Sequence, residues 1–252
     1  MRYAVLSDIH GNLEALTAVL AACRAERIDR YLCLGDSIGY GADPSACLAC
    51  LQEQRAVTVA GNHEAGCSGK LELGWFHRAA RAALEWTRDQ LSFTELDLLR
   101  RLPLIEIVEP FTLVHASLRQ PQRFEYLVDL ASMIETLQAC ETLFCLAGHT
   151  HLPGVVEYDR AQRRVLRVLT SPTDLAAEIA YLDEAKDRRY LVNPGSIGQP
   201  RDADCRASFA MIDTAERRLS FHRVSYDIAA AQRKIRQANL PGFLADRLAI
   251  GR

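Results

Sequence analysis

Five short polar clusters punctuate the chain: Asp8-Ile9-His10, Gly35-Asp36, Gly61-Asn62-His63-Glu64, an isolated His115, and Gly148-His149-Thr150-His151. Their side chains combine imidazole, carboxylate and amide donors, a set that suits zinc, manganese, iron or nickel better than calcium. Asp8 and His10 stand at i, i+2, so an extended backbone would point both the same way, and His149 and His151 share that relation. A buried aspartate without a partner is costly, and a coordinated cation supplies one. Two divalent cations would outweigh two aspartates and a bridging hydroxide, leaving a positive centre. Such a centre attracts a phosphate anion and stabilises the further charge that builds during its hydrolysis. Ions about 3.5–4 Å apart also acidify a bridging water and hold both the attacking and the leaving oxygen.

These clusters need a scaffold that carries distant segments to one place. Residues 2–7 read as a strand, and 13–25 as a helix on the spacing of Leu13, Leu16, Val19, Leu20 and Cys23, with Asn12 as its cap. A strand at 30–34 follows. A helix then opens at Asp43 with Pro44 in its first turn, and a strand at 57–60 completes a βαβαβ pattern that implies a parallel, buried sheet. Each polar cluster falls just after an expected strand. In parallel α/β sheets that carboxyl edge is where ligands bind. Residues 75–90 read as a helix with Trp75, Ala79, Ala82, Ala83 and Trp86 on one face, and Ser92 with Glu95 forms a capping box before a helix over 93–101. Strands at 104–108 and 111–115, a helix at 127–139 and a strand at 143–147 come next. The rest is expected as strands at 154–158, 164–169, 178–182, 190–193, 207–213 and 218–224, mostly antiparallel, before a final helical stretch broken near Pro241-Gly242. With no Gly/Ser/Pro-rich linker, residues 1–252 read as one domain. The expectation is an α/β fold with two packed sheets and helices outside.

Composition narrows the function classes. The chain has 252 residues, a net charge of −2 and no basic stripe, so binding of nucleic acid by bulk electrostatics is not expected. No signal peptide and no membrane-length apolar run are present, which predicts a cytoplasmic protein. The eight cysteines are too sparse for a disulfide scaffold. Cys47 and Cys50 lack a partner pair at zinc-site spacing and read as one turn of a helix.

The residue set and its order resemble the calcineurin-like metallophosphoesterase family, across residues 8–151. The loop Asn193-Pro194-Gly195-Ser196-Ile197-Gly198 resembles the family's small bacterial and archaeal phosphodiesterase branch. The resemblance implies a four-layer α/β/β/α sandwich with two mixed sheets. It further implies one metal held by Asp8, His10, Asp36 and His151, and a second by Asp36, Asn62, His115 and His149, Asp36 bridging. Manganese is the favoured ion, with iron, zinc or nickel as alternatives. A metal-bridging hydroxide would attack phosphorus while His63 protonates the leaving alkoxide.

One departure bears on substrate. Family members acting on phosphoproteins or dinucleoside tetraphosphates follow Gly-Asp with an Asp-Arg-Gly element, whereas this chain continues Ser37-Ile38-Gly39-Tyr40-Gly41. That favours a small phosphodiester or nucleotide-like substrate. Glu64, a residue type shared with the protein phosphatases, keeps a phosphomonoesterase as the alternative, and a metal-free binding scaffold is a third. Other residues have plainer readings. His77 is placed in a helix and His222 in a late strand, both without function. Cys67 is read as a loop thiol near the site, Arg201 as a solvated or phosphate-reaching side chain, and Asp227, Arg233, Lys234 and Arg236 as a solvated helix face with Ile228 and Ile235 inward.

Overall fold

The computed structural model describes residues 1–181 and 187–252. In chain order the elements are β1 (Arg2–Leu6), α1 (Leu13–Ala25), β2 (Arg30–Cys33), α2 (Pro44–Glu53), β3 (Val57–Thr58), α3 (Asn62–Ser68), α4 (Arg78–Gln90) and α5 (Phe93–Arg101). The middle of the chain adds β4 (Ile105–Val108), β5 (Phe111–Val114), α6 (Leu130–Ala139), β6 (Phe144–Leu146), β7 (Gly154–Asp159), β8 (Arg164–Leu169) and α7 (Pro172–Leu175). It closes with β9 (Ile179–Ala180), β10 (Arg188–Asn193), β11 (Ala207–Asp213), β12 (Arg218–Val224), α8 (Ile228–Gln237) and α9 (Gly242–Asp246).

The strands form two six-stranded sheets, ordered β3-β2-β1-β11-β12-β9 and β4-β5-β6-β10-β7-β8. Period-two alternation explains why they stack. Tyr3 and Val5 of β1 face the second sheet, where they join Phe111, Phe144, Tyr190 and Val192. Ala4 and Leu6, one residue out of phase, pack instead with Leu16, Val19 and Cys23 of α1. The second sheet repeats the pattern, since Val114, Cys145 and Leu191 turn outward to Leu137 of α6. Helices, two mixed sheets and helices thus make the four layers that the sequence implied.

Both sheets carry a parallel core. β1, β2 and β3 run parallel in the first, and β5, β6 and β10 in the second. The late strands pair mostly antiparallel, as the sequence reading had them. The exception is β10, which joins β6 in parallel before it turns antiparallel to β7. The carboxyl ends of the parallel strands from both sheets meet along one edge.

Several boundaries differ from the sequence reading. The expected helix at 75–90 begins at Arg78, because His77 Nδ1 accepts the Ala80 N–H and caps it; Trp75 lies in a preceding 3-10 turn, 76 % exposed. The helix expected over 127–139 starts at Leu130 behind its Asp129 cap. Residues 62–68, read as loop, form α3, so Cys67 is a buried helical thiol that burial pushes up to about 12. The strand expected over 178–182 is seen at Ile179–Ala180, and its last residue lies outside the described residues. Asp43 precedes α2 but makes no capping bond. Its carboxylate and that of Glu14 instead accept from Lys234 Nζ at 2.9 and 2.6 Å. Lys234 is therefore not part of a solvated face but ties α8 to the first two helices. Among the described residues no helix is long and apolar enough to cross a membrane.

Candidate metal centre

The polar clusters converge where the two sheets meet. Asp8 and His10 follow β1, Asp36 follows β2, and Asn62 and His63 open α3 just beyond β3. From the second sheet, His115 follows β5 and His149 and His151 follow β6. Asp8, His10, Asp36, His63, His115, His149 and His151 are all buried. The i, i+2 argument from extended backbone is corrected here. Asp8, His10, Asp36, His149 and His151 have φ of 52°, 51°, 51°, 66° and 61°, in the left-handed region. Each such residue costs roughly 1–2 kcal/mol, and strain of this kind persists only where the surroundings impose it.

Two brackets impose it. Glu64 accepts from the main-chain N–H groups of Asp36, Ser37 and Gly61 and from the Ser37 hydroxyl, at 2.6–2.8 Å, so it clamps the β2 loop to the start of α3. A side chain on Gly61 would meet Asp36 Oδ1 at 2.1 Å, which is why this approach needs glycine. The stretch after β10 is the second bracket. Asn193 Nδ2 donates to the Gly148 carbonyl, while Ser196 Oγ and Gly198 N both donate to the Asp8 carbonyl. The Asn193–Gly198 loop thus holds the β1 loop against the β6 loop. Asn12 does cap α1, accepting from Ala15 N, and its amide donates to the Gly198 carbonyl.

Hydrogen bonds on the far side of the rings orient the imidazoles. Nδ1 of His10, His115 and His151 lies 3.2, 2.7 and 2.5 Å from the carbonyls of Ile38, Leu34 and Gln199. A carbonyl only accepts, so these nitrogens carry the protons and each Nε2 turns a lone pair inward. His10 Nε2 then faces His151 Nε2 at 3.2 Å, and His115 Nε2 faces His149 Nδ1 at 3.0 Å. The inward lone pairs of His10 and His151 repel at that distance unless a cation or an added proton lies between them. Asp8 Oδ1 is buried with no hydrogen-bond partner, while Oδ2 accepts from Ser7 Oγ and His149 N. Asp36 Oδ1 accepts from His63 N at 2.9 Å, leaving Oδ2 3.4 Å from His115 Nε2 and 3.7 Å from His10 Nε2.

The ligand atoms fall into overlapping triads, each within 4.8 Å: Asp8, His10 and His151; His10, Asp36 and His63; Asp36, His115 and His149. An orphaned carboxylate oxygen, inward lone pairs and buried acids all fit divalent cations. The electrostatics agree. Burial pushes His115 down, but attraction to Asp36 overrides it and lifts the ring to about 9, so a proton collects where positive charge is wanted. Burial, then the charge of His115, pushes His149 down to about 3. Burial likewise lowers His63 to about 4, and its Nδ1 is buried without a partner.

Beside this centre opens a cleft of about 180 Å³ lined by Asn62 and His149 together with Tyr40, Trp75, Phe76 and Tyr126. Tyr126 stacks on His149 at 3.9 Å, and Tyr40 packs edge-on against His63 at 4.5 Å. His77 was assigned no function from sequence, yet it lines this cleft and its Nε2 lies 3.4 Å from the Tyr40 hydroxyl. The cleft residues have no periodic pattern and were missed. The one sequence signal was the pair of glycines flanking Tyr40. His222 stays remote, stacked on Phe209, and the thiols of Cys47 and Cys50 on α2 are raised by burial, which disfavours a metal role.

Known proteins are similar to this chain in sequence and fold. The family model for the calcineurin-like phosphoesterase superfamily domain matches residues 1–217. An uncharacterised protein of Methanocaldococcus jannaschii is 36 % identical over 253 residues, covering 99 % of this chain and 98 % of that one. The crystal structure of a metallophosphoesterase from Sphaerobacter thermophilus is similar with a TM-score of 0.84 at 37 % identity, covering 100 % and 99 % of the two chains. A hypothetical protein from Pyrococcus horikoshii has the same fold, with a TM-score of 0.78 at 21 % identity over 100 % and 98 %. With its overlapping metal-binding triads on this fold, the chain belongs to the calcineurin-like phosphoesterase superfamily, whose chemistry is metal-dependent phosphoester hydrolysis.

Proposed function

We propose that the chain is a dinuclear phosphodiesterase acting on a small, nucleotide-like diester. The observation that carries this reading is the overlap of the triads through Asp36, whose free oxygen faces both groups of histidines. Asp8, His10, Asp36 and His151 would hold one ion, and Asp36, Asn62, His115 and His149 the other. When bound, such ions supply Lewis-acid polarisation of the phosphoryl oxygens and an acidified water, and manganese is the ion we favour.

The chain's own residues do the rest. Asp8 and Asp36 supply the negative charge that holds the cations, and the carbonyls of Ile38, Leu34 and Gln199 keep each imidazole in the right tautomer. His63 lies beside the centre, with Nε2 4.0 Å from Asp36 Oδ2 and its ring against Tyr40 and Phe76. From there it delivers a proton to the departing alkoxide oxygen once the anionic substrate beside it offsets the burial that lowers the free ring to about 4. The aromatic cleft excludes water and accepts a flat leaving group.

The diester preference rests on Ser37-Ile38 standing where a phosphate-gripping Arg would follow Asp36. Assaying manganese-loaded protein on bis- and mono-nitrophenyl phosphate side by side checks it. The diester is expected to show the higher kcat/KM. A higher value for the monoester would replace this reading with a phosphomonoesterase.

A further inference from the structure

The loop after Asp36 brings a tyrosine into the site in a strained conformation. Tyr40 has a φ of 63°, a left-handed value that is rare for a bulky side chain and persists only where the surroundings impose it. Gly41 N holds the turn by donating to the carbonyls of His10 and Gly39, at 2.8 Å each. Gly39 has to be small, because a Cβ there would run into His63 Nδ1. The Tyr40 ring is buried and packs against both His10 and His63, with centroids 4.6 and 4.5 Å away. Its hydroxyl end reaches His77, and the two residues line one cleft with Asn62 and His149.

The donors and acceptors around that hydroxyl fix the direction of its proton. The Ala80 N–H, in the first turn of α4, donates to His77 Nδ1 at 3.3 Å, so this nitrogen carries a lone pair. A neutral imidazole with a lone pair on Nδ1 has its proton on Nε2. Burial holds His77 below the usual imidazole range, which favours the neutral ring. His77 Nε2 lies 3.4 Å from the Tyr40 hydroxyl, so the Nε2–H donates and the phenol oxygen accepts. The phenolic proton is left free to donate, and among the described residues it has no acceptor.

We propose that the Tyr40 hydroxyl donates this hydrogen bond to a phosphoryl oxygen of the substrate, and that His77 is the positioning residue that aims it. The word substrate rests on the phosphoesterase reading above, but the donor itself requires only a phosphate-class oxyanion. Its place suits one. The cleft that Tyr40 lines is bounded by Asn62 and His149, which would hold one ion, and the ring packs on His10, which would hold the other. A hydrogen bond from a hydroxyl to an anion is of the strong, charge-assisted kind. The phenol carries no charge, so it gives a doubly charged monoester no advantage over a singly charged diester, in keeping with the absence of Arg from the same loop.

The test titrates the whole metal-loaded protein with inorganic phosphate by calorimetry and assays it on bis-nitrophenyl phosphate. Tyr40→Phe removes the hydroxyl and keeps the ring. Phosphate affinity should fall about tenfold and kcat/KM about 10- to 100-fold, with metal content and melting temperature unchanged. His77→Asn keeps a residue that caps helices but is too short to reach the phenol. It should weaken phosphate binding about threefold in the parent and add nothing to Tyr40→Phe. Phosphate affinity in folded, metal-loaded Tyr40→Phe within about twofold of the parent would overturn the proposal, and so would a metal-loaded parent that binds no phosphate. A loss of metal in Tyr40→Phe with affinity per loaded site intact is equally fatal, because the phenol would then act only by propping His10. Equal losses from His77→Asn in both backgrounds, or none in the parent, would reduce His77 to a helix cap and remove its positioning role. Should the parent hydrolyse no phosphate ester while Tyr40→Phe still loses phosphate binding, the donor stands and the phosphodiesterase reading falls.

Discussion

His63 and His222 are both held below the usual imidazole range by burial, yet they sit in opposite surroundings. His222 lies in the body of the first sheet. Its ring stacks on Phe209 at 4.7 Å, and Nε2 lies 2.9 Å from Ser220 Oγ, so the side chain is satisfied where it is. His63 lies at the strand-end edge with Nδ1 buried and unpartnered, next to backbone in left-handed conformations. The sheet body is built to be complete by itself. The edge is incomplete by itself, crowded with lone pairs and strained main chain, and it is stable because a ligand of opposite character is expected there.

Substitutions can break or sharpen that contrast. The largest effect is expected at Asp36, whose replacement by Asn removes a charge facing both histidine groups. Turnover should fall roughly 10³-fold or more, together with metal content by elemental analysis. Full activity with both metals retained would show that Asp36 does not bridge. Next comes His63→Ala, which should slow diesters with alkoxide leaving groups roughly 10²-fold or more while sparing nitrophenolate, which leaves without a proton. Equal losses on both substrates, seen in parallel steady-state assays, would remove the proton-delivery role.

Glu64→Gln probes the bracket rather than the centre. An amide cannot accept at both ends, so a main-chain donor is left buried and unpaired. That costs about 1–3 kcal/mol in denaturant melts, and metal affinity should drop about 10- to 100-fold. The smallest effect belongs to the sheet body. The folded-state pKa of His222 is depressed, so its contribution is present above the ordinary value of 6.5 and is lost as pH falls through the folded value. His222→Phe should therefore lose less melting temperature than the parent between neutral and mildly acid pH, with activity unchanged. A change in turnover would move His222 out of the satisfied class.

Much of the centre was legible because its residue types are rare in combination and each cluster follows a strand. Helix 93–101 was readable to the residue from its Ser92–Glu95 box, and strands 164–169, 207–213 and 218–224 from alternation. What escaped has physical reasons. Trp75 shares a helical phase with Ala79 and Ala82, but the capping capacity of a histidine at position 77 is not written in periodicity. Asp8, in its left-handed conformation, is held by Ser196 and Gly198, nearly two hundred residues away, which no local pattern records. Tyr126 reaches the cleft from a loop whose own sequence looks ordinary. The residues of the overlapping triads were all singled out from the sequence, His63 as a proton donor rather than a ligand; the aromatic wall of the cleft was not.

The division of ligands between the sheets has a mechanical side. Asp8, Asp36 and Asn62 hang from the first sheet, and His115, His149 and His151 from the second. Any cation coordinated by members of both groups is a cross-link between the two halves of the sandwich, placed at the rim where the hydrophobic interior ends. Occupancy and folding then become one equilibrium. At a hundredfold excess over its dissociation constant, a single ion would add about 2.7 kcal/mol to the stability of the whole molecule. A chelator would therefore silence the centre and also loosen the seam between the sheets.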